Sequence, residues 1–184
     1  MSKYTTQNEL LLKNLLEFYN DNGNIEKILP IINGQSSLSI RIIDWFVTNY
    51  AKKNYVIYNV EKNGVYSRFK VYIDYKLRLK AYSKRRFDPF CRWDRITIPY
   101  KQDSHIQTTI GQLNFFRWIL ENKILEYIEK NFDEISHDMN KRNSTSKNKK
   151  GKKDKSTRKT REELSISATK SIKKENVEII VSFD

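Results

Sequence analysis

Beyond Asp138 the sequence contains no aromatic residue and almost no aliphatic one before Leu164. Such a segment buries too little apolar surface to offset the conformational entropy that it would lose on ordering. The hydrophobic core must therefore come from the residues before it, whose number is close to that of an average domain. We predict a globular domain over residues 1–138, a disordered Lys-rich linker over 139–176 and an apolar C-terminal segment over 177–184.

The positive charge of the chain is concentrated in the same polar region. The formal net charge is +13, and residues 139–184 hold 14 basic against 6 acidic side chains. A tail of this density neutralises several phosphates and releases their counterions when it binds nucleic acid. Solubilisation and nuclear targeting are the alternative roles for such lysine runs. The predicted phosphate contacts in the tail are Lys149, Lys150, Lys152 and Lys153.

Helical periodicity recurs along the chain. Apolar residues at spacings of three and four predict helices over residues 6–19, 38–53 and 110–135. A shorter helical piece is predicted over 25–29, before Pro30. The segment 38–53 is also rich in strand-forming residues, which leaves a strand as the alternative there. The apolar stripe over 110–135 predicts one long amphipathic helix.

From Tyr55 the pattern changes to that of strands. A β-branched and aromatic run over 55–60 is followed by a Glu-Lys-Asn-Gly turn, which is a strong hairpin signal. Apolar residues then occupy every second position from Phe69 to Leu79, which predicts a long partner strand. A further short strand is predicted over 93–100. The sequence therefore predicts an α+β fold with a small antiparallel sheet and about three helices, followed by the disordered basic tail.

The face of the long predicted strand that lies opposite its apolar residues is basic and aromatic. Such a face can present cations to a phosphate backbone while its tyrosine rings stack on exposed bases. The alternative is a solvated outer sheet face, on which Lys and Arg also discourage edge pairing. The predicted nucleic-acid contacts are Arg68, Lys70, Tyr72, Lys76, Arg78, Lys80, Tyr82 and Lys84, with Tyr66 interleaved on the same face.

A predicted loop region over residues 85–95 is rich in arginine and aromatic residues. Guanidinium groups bind phosphates and stack on rings, and loops often carry recognition residues. The aromatic residues of this region are better explained as residues that pack in the core, whereas its arginines are not. The predicted nucleic-acid contacts from this region are Arg85, Arg86, Arg92 and Arg95.

The sequence contains no motif of an enzyme or a metal site. The two histidines, His105 and His137, stand in no nucleophile or metal-binding pattern, and there is no glycine-rich phosphate loop. We therefore expect a non-catalytic protein without a metal or a cofactor. A nuclease-like cluster is the minor alternative, and its candidate carboxylates are Asp74, Asp88, Asp94 and Asp103.

Targeting and redox features point to the cell interior. The single cysteine, Cys91, cannot form an internal disulfide. The N-terminus is polar, and no run of about 18 uncharged apolar residues occurs. These features predict an intracellular protein with no membrane partner.

Residues 38–50 read LSIRIIDWFVTNY, and residues 72–90 read YIDYKLRLKAYSKRRFDPF. Both segments resemble conserved uncharacterised proteins of nucleocytoplasmic large DNA viruses. The resemblance covers roughly residues 38–100 and implies no catalytic or binding residue. It implies a protein made in the infected host cytoplasm that acts in the viral factory or is packaged in the virion beside the genome.

These features together predict a protein that binds DNA or RNA through the basic aromatic face and the Lys-rich tail. Steep salt dependence is the signature of that function. The alternative is a viral structural or assembly protein that docks on a protein partner through Val177–Phe183, which is apolar after a long polar stretch.

Overall fold

The structure, a computed structural model, describes residues 6–20, 23–62, 64–92, 95–99, 104–150 and 174–176. These residues form helices and two small antiparallel sheets, so the predicted α+β class is confirmed. The helices are α1 (Gln7–Asn20), α2 (Asn24–Ile32), α3 (Ile40–Trp45), α4 (Ala51–Lys53), α5 (Val71–Phe87), α6 (Ile110–Glu121), α7 (Ile124–Lys130) and α8 (Phe132–Lys150), with a π-helical turn at Phe46–Tyr50.

The strands are β1 (Ile57–Lys62), β2 (Val65–Lys70), β3 (Arg95–Pro99), β4 (Ser104–Thr109) and β5 (Lys174–Asn176). Strands β1 and β2 form the predicted hairpin, which turns through Gly64 at a φ of 77°. In the other sheet β4 lies between β3 and β5 and is antiparallel to both. Strand β3 agrees with the strand predicted over 93–100, whereas β4 forms where no strand was predicted.

Helix α6 lies at the centre of the fold. Nine of its 12 residues are buried, because the helix is enclosed on all sides rather than along one stripe. The Thr109 hydroxyl caps the start of the helix by accepting a hydrogen bond from the Gln112 N–H at 3.1 Å. Helices α1, α5 and α7 pack around α6, which therefore connects the N-terminal and C-terminal helices of the domain.

The single helix predicted over 110–135 is wrong, because the chain is broken there into α6, α7 and the start of α8. At the first break the Asn122 side-chain amide donates to the Trp118 carbonyl oxygen at 2.7 Å, and Lys123 adopts a left-handed φ of 54°. At the second break the Asn131 amide donates to the Tyr127 carbonyl oxygen at 2.8 Å. Asparagine side chains that bond the backbone in this way compete with helical hydrogen bonding.

Helix α8 continues to Lys150. Residues 139–150, which were predicted to belong to the disordered linker, are therefore helical. The N-terminal half of α8 packs against the domain, because Ile135 is fully buried. The Asp138 carboxylate also accepts hydrogen bonds from the Trp45 indole at 3.2 Å and the Lys53 ammonium at 3.1 Å. The predicted linker beyond Lys150, apart from β5, lies outside the described residues, as does the predicted apolar segment Val177–Phe183.

The helix predicted over 38–53 is confirmed, and the strand alternative for this segment is wrong. Helix α3, the π-helical turn and α4 follow one another without a break. The Ser39 hydroxyl caps α3 by accepting a hydrogen bond from the Ile42 N–H at 3.3 Å. The helical piece predicted over 25–29 forms part of α2, which continues through Pro30 to its end.

The long strand predicted from Phe69 to Leu79 is also wrong. Strand β2 ends at Lys70, and helix α5 begins with the next residue. The sequence of this segment satisfies both periods, since Val71 and Tyr75 are apolar at a spacing of four as well as at alternate positions. Local pattern therefore does not decide between strand and helix here.

Packing against α6 selects the helix. The Tyr75 ring lies 5.9 Å from the Trp118 ring and 6.0 Å from the Phe87 ring, centroid to centroid. A strand would have buried Ile73 and Leu77 on the same face as Tyr75. In the structure these two side chains are 53% and 61% exposed, because they lie on the side of α5 that faces away from the core.

The backbone at the start of α6 passes very close to the end of α5. A β-carbon on Gly111 would lie 2.9 Å from the Arg85 carbonyl oxygen and 3.1 Å from the Asp88 carbonyl oxygen. The Asn114 side-chain amide holds the two helices together by donating to the Arg86 carbonyl oxygen at 2.8 Å. Only glycine permits so close an approach.

We expect Gly111→Ala to lower the free energy of unfolding by about 1–3 kcal/mol, because the new methyl group must displace backbone oxygens. In a helix without such a contact, replacing glycine by alanine stabilises the protein by up to about 1 kcal/mol. A loss of stability in Gly111→Ala would therefore indicate the close contact. Urea denaturation followed by circular dichroism measures the change. An unchanged or higher midpoint would contradict the close packing of α5 on α6.

Candidate nucleic-acid interface

The β1–β2 hairpin presents one face to the core and the other to solvent. Tyr58 and Phe69 face each other across the two strands on the inner side, with ring centroids 5.5 Å apart. Because side chains alternate along a strand, Tyr66, Arg68 and Lys70 of β2 share the outer side. All three are exposed. We call the outer side of this hairpin, with its cross-strand residues, the hairpin face.

The hairpin face carries the cations of Arg68 and Lys70, the ring of Tyr66 and one carboxylate, that of Glu61. Its cross-strand pairs are Glu61 with Tyr66, Asn59 with Arg68 and Ile57 with Lys70. Among the described residues no carboxylate lies within 4.0 Å of the Arg68 or Lys70 cation. These two charges are therefore available for an anion from solvent.

The remaining members of the predicted basic strand lie on helix α5 instead. Lys76 and Lys80 are exposed on its outward side, together with Ile73 and Leu77. Lys84 is also exposed but follows an interruption of the helix at Ser83, where φ is 65°. The predicted continuous row of cations is thus divided between a strand and a helix.

Four predicted contacts on α5 are occupied by the fold itself. The Tyr72 ring lies under the Lys52 ammonium, 5.6 Å from its centroid, and Tyr82 stacks on Phe87 at 6.0 Å. Both tyrosines are half-buried against the core. A base could not reach their covered faces, so their predicted stacking role is not supported by their placement.

The other two occupied residues are arginines. The Arg78 guanidinium lies 3.6 Å from the Asp74 carboxylate. The Arg86 guanidinium donates to the Asn8 side-chain oxygen at 2.7 Å, which ties α5 to α1. A salt bridge between Asp74 and a nearby arginine was expected from the sequence, whereas the Arg86 contact was not, because its partner is 78 residues away in the chain.

The remaining predicted contacts are scattered. Arg85 lies near the end of α5, Arg92 follows the turn after it and Arg95 begins β3, and all three are exposed. Lys149 and Lys150 are the last two residues of α8. Lys152 and Lys153 lie outside the described residues.

One residue of interest was missed by the sequence patterns. Tyr55 was predicted to begin a strand, but it lies in the turn between α4 and β1 and is 83% exposed. Its φ of 50° is left-handed, which is rare for an aromatic residue. No local signal identifies this turn, because its left-handed position holds tyrosine rather than glycine.

Two of the four candidate carboxylates of a nuclease, Asp74 and Asp88, have structural partners. Asp74 accepts a hydrogen bond from the Trp118 indole at 2.5 Å, and Asp88 accepts one from the Phe90 N–H at 2.9 Å. Asp94 and Asp103 lie outside the described residues. Within the part of the chain that is described, no group of three or more His, Cys, Asp or Glu side chains is arranged to hold a metal ion.

A different carboxyl group is perturbed by the fold. Burial, and to a lesser extent the negative charge of nearby Asp88, raises the pKa of Asp44 to about 7. The folded protein therefore binds a proton at Asp44 between about pH 4 and pH 7, where the unfolded chain has released it. Stability contributed by the uncharged carboxyl group is present at low pH and is lost as the pH rises through that window.

We expect Asp44→Asn to flatten the fall in stability between about pH 4 and pH 7 and to stabilise the protein at pH 8 by roughly 1–2 kcal/mol. Urea unfolding at a series of pH values measures the effect. Asp133→Asn is the matched control, because Asp133 is exposed at the start of α8. An Asp44→Asn profile parallel to that of the unmodified protein would contradict the raised pKa.

The chain belongs to the family described as "Family of unknown function (DUF7197)", whose model matches all of residues 1–184. A relative is "Uncharacterized protein L507" of Acanthamoeba polyphaga mimivirus, 44% identical over 145 residues. The aligned region covers 76% of this chain and 55% of the relative, so the chain spans little more than half of that protein. The resemblance to uncharacterised giant-virus proteins is thus confirmed.

No solved structure matches the chain. Across the described residues, none of the helices combines the length and the apolar character needed to cross a membrane.

Proposed function

We propose that this protein binds nucleic acid without catalysing a reaction, and that the hairpin face is its contact surface. The observation that carries the proposal is the alternation of Tyr66, Arg68 and Lys70 along one exposed side of β2. Cations bind the phosphate backbone, and an exposed aromatic ring offers a surface for a base. This pattern joins both kinds of contact on one strand.

Other positive charges support the same proposal. Lys76 and Lys80 are exposed on α5, which follows β2 directly, so they extend the positive field from the hairpin. The tail adds further sequence-independent attraction, since residues 139–184 hold 14 basic against 6 acidic side chains. The hairpin face supplies the specific contact in this proposal, and the tail supplies affinity.

The test is a double charge reversal, Arg68→Glu with Lys70→Glu, in the full chain. We expect binding to short labelled DNA and RNA, measured by fluorescence anisotropy, to weaken by roughly 10-fold or more at low salt. The slope of log K against log salt should fall by about 2, because two phosphate contacts are lost.

The matched control is Lys13→Glu with Lys130→Glu, which changes the net charge equally on exposed lysines of α1 and α7. If both double variants weaken binding to the same extent, only overall charge matters and the hairpin face is not the site. If binding is abolished by replacing only the tail lysines with Gln, the tail is the binding element. These lysines are Lys149, Lys150, Lys152 and Lys153.

A second candidate function is assembly with a protein partner, in the virion or the viral factory of an infected cell. Ile73 and Leu77 favour it, because two large aliphatic side chains one helical turn apart are exposed on α5. The apolar segment Val177–Phe183 is a second candidate contact. Aliphatic contacts of this kind persist in high salt, unlike phosphate contacts.

For this second function we expect a nuclease-treated sample in high salt to form an oligomer or a stable protein complex. Light scattering after size-exclusion chromatography measures it. Deletion of residues 177–184, or Ile73→Ser with Leu77→Ser, should dissociate the assembly. A monomer under these conditions, together with salt-sensitive nucleic-acid binding, would favour the first function.

A further inference from the structure

Tyr55 occupies a position where the backbone favours glycine. Helix α4 ends at Lys53, and the Val56 N–H then donates to the Ala51 carbonyl oxygen at 3.2 Å. This bond closes the helix end in the Schellman arrangement, whose penultimate residue is left-handed and usually glycine. Here that residue is Tyr55, with a φ of 50°.

The contacts of the fold do not account for a tyrosine at this position. A β-carbon in the left-handed region meets steric hindrance that glycine avoids. The ring of Tyr55 does not offset that cost by packing, since the residue is 83% exposed. Backbone strain of this kind clusters at ligand-binding sites, so an exposed aromatic ring on a strained backbone points to a binding role.

Tyr55 lies beside the hairpin face. It precedes β1 by two residues, and the first residue of β1, Ile57, pairs with Lys70. A second ring that is exposed among the described residues, Tyr66, pairs with Glu61 nearer the turn. The Ile57–Lys70 pair and the Glu61–Tyr66 pair lie four residues apart along the strands, which corresponds to about 13 Å. Arg68 and Lys70 therefore lie along β2 between the two ends where the rings are found.

We infer that the ligand of the hairpin face is single-stranded nucleic acid, whose unpaired bases stack on Tyr55 and Tyr66 while Arg68 and Lys70 bind its phosphates. This inference rests on the proposed function and names its ligand. In a duplex the faces of the bases are covered by their stacked neighbours, so two exposed rings gain little from it. In a single strand those faces are free.

The experiment compares the full chain with Tyr55→Gly, Tyr55→Phe and Tyr66→Ala. Each is measured for thermal unfolding and for anisotropy binding to one labelled oligonucleotide, as DNA and as RNA, alone and annealed to its complement. Tyr55→Gly is expected to unfold at the same or a higher temperature, because it removes the left-handed strain. Its affinity for the single strands should fall on the order of 10-fold, while affinity for the duplexes stays the same.

Two controls separate stacking from strain. Tyr55→Phe keeps the ring and should bind single strands as the unmodified chain does. Ser83→Gly relieves a left-handed φ of 65° elsewhere without removing a ring, and should raise stability without weakening binding. Tyr66→Ala should weaken single-strand binding to a similar degree as Tyr55→Gly.

The remaining outcomes overturn the inference. Equal affinity for single strands and duplexes, with no effect of Tyr55→Gly or Tyr66→Ala, rejects the single-strand assignment. The proposed function then still stands if Arg68→Glu with Lys70→Glu weakens binding. Failure of the unmodified chain to bind any nucleic acid rejects both. A lower unfolding temperature for Tyr55→Gly rejects the argument from strain.

Discussion

The fold depends on the burial of helix α6 within a cluster of aromatic rings. The Trp118 ring lies 5.6 Å from Phe87, 5.9 Å from Tyr75 and 5.9 Å from Phe115, centroid to centroid. The Phe87 contact is edge-on and the other two are tilted, and such ring contacts add to the stabilisation from the apolar area that the rings bury. The Trp118 indole also donates to Asp74, which leaves its one polar hydrogen paired inside the domain. These contacts fix α5 against α6 and so decide the conformation of the whole segment after the hairpin.

The position of α5 in turn determines which basic residues can reach a ligand. Because the helix turns one side toward α6, Tyr72 and Tyr82 pack against the core and Arg86 bonds to α1. Among the described residues, the predicted contacts left exposed are those of the hairpin face and of the outward side of α5, together with Lys84, Arg85, Arg92 and Arg95. A surface suited to nucleic acid therefore remains, but it is shorter and more local than a continuous basic strand would be.

Sequence patterns identified the helices over residues 6–19 and 38–53 correctly, because only the helical period fits there. The leucines of α1 and the apolar residues of α3 with the π-helical turn repeat at helical spacing over more than two turns, and both are helical. The hairpin turn was identified because Asn-Gly between β-rich runs has few alternatives. The patterns failed from Val71 to Leu79, where apolar residues satisfy a strand and a helix alike. The partners that decide this case, Phe115 and Trp118, lie about 40 residues further along the chain.

The sequence by itself predicted a core before the polar tail, since that tail has too few apolar side chains to bury, and the buried core of the described residues runs from Leu15 to Ile135. It also determined the hairpin and the location of most of the positive charge, because these follow from composition and local turn chemistry. Only the tertiary structure decided which cations are free, since an arginine such as Arg86 is engaged by partners that are distant in sequence. It alone revealed the strained, exposed Tyr55, because a left-handed φ at a residue other than glycine is imposed by the packing of the elements on either side.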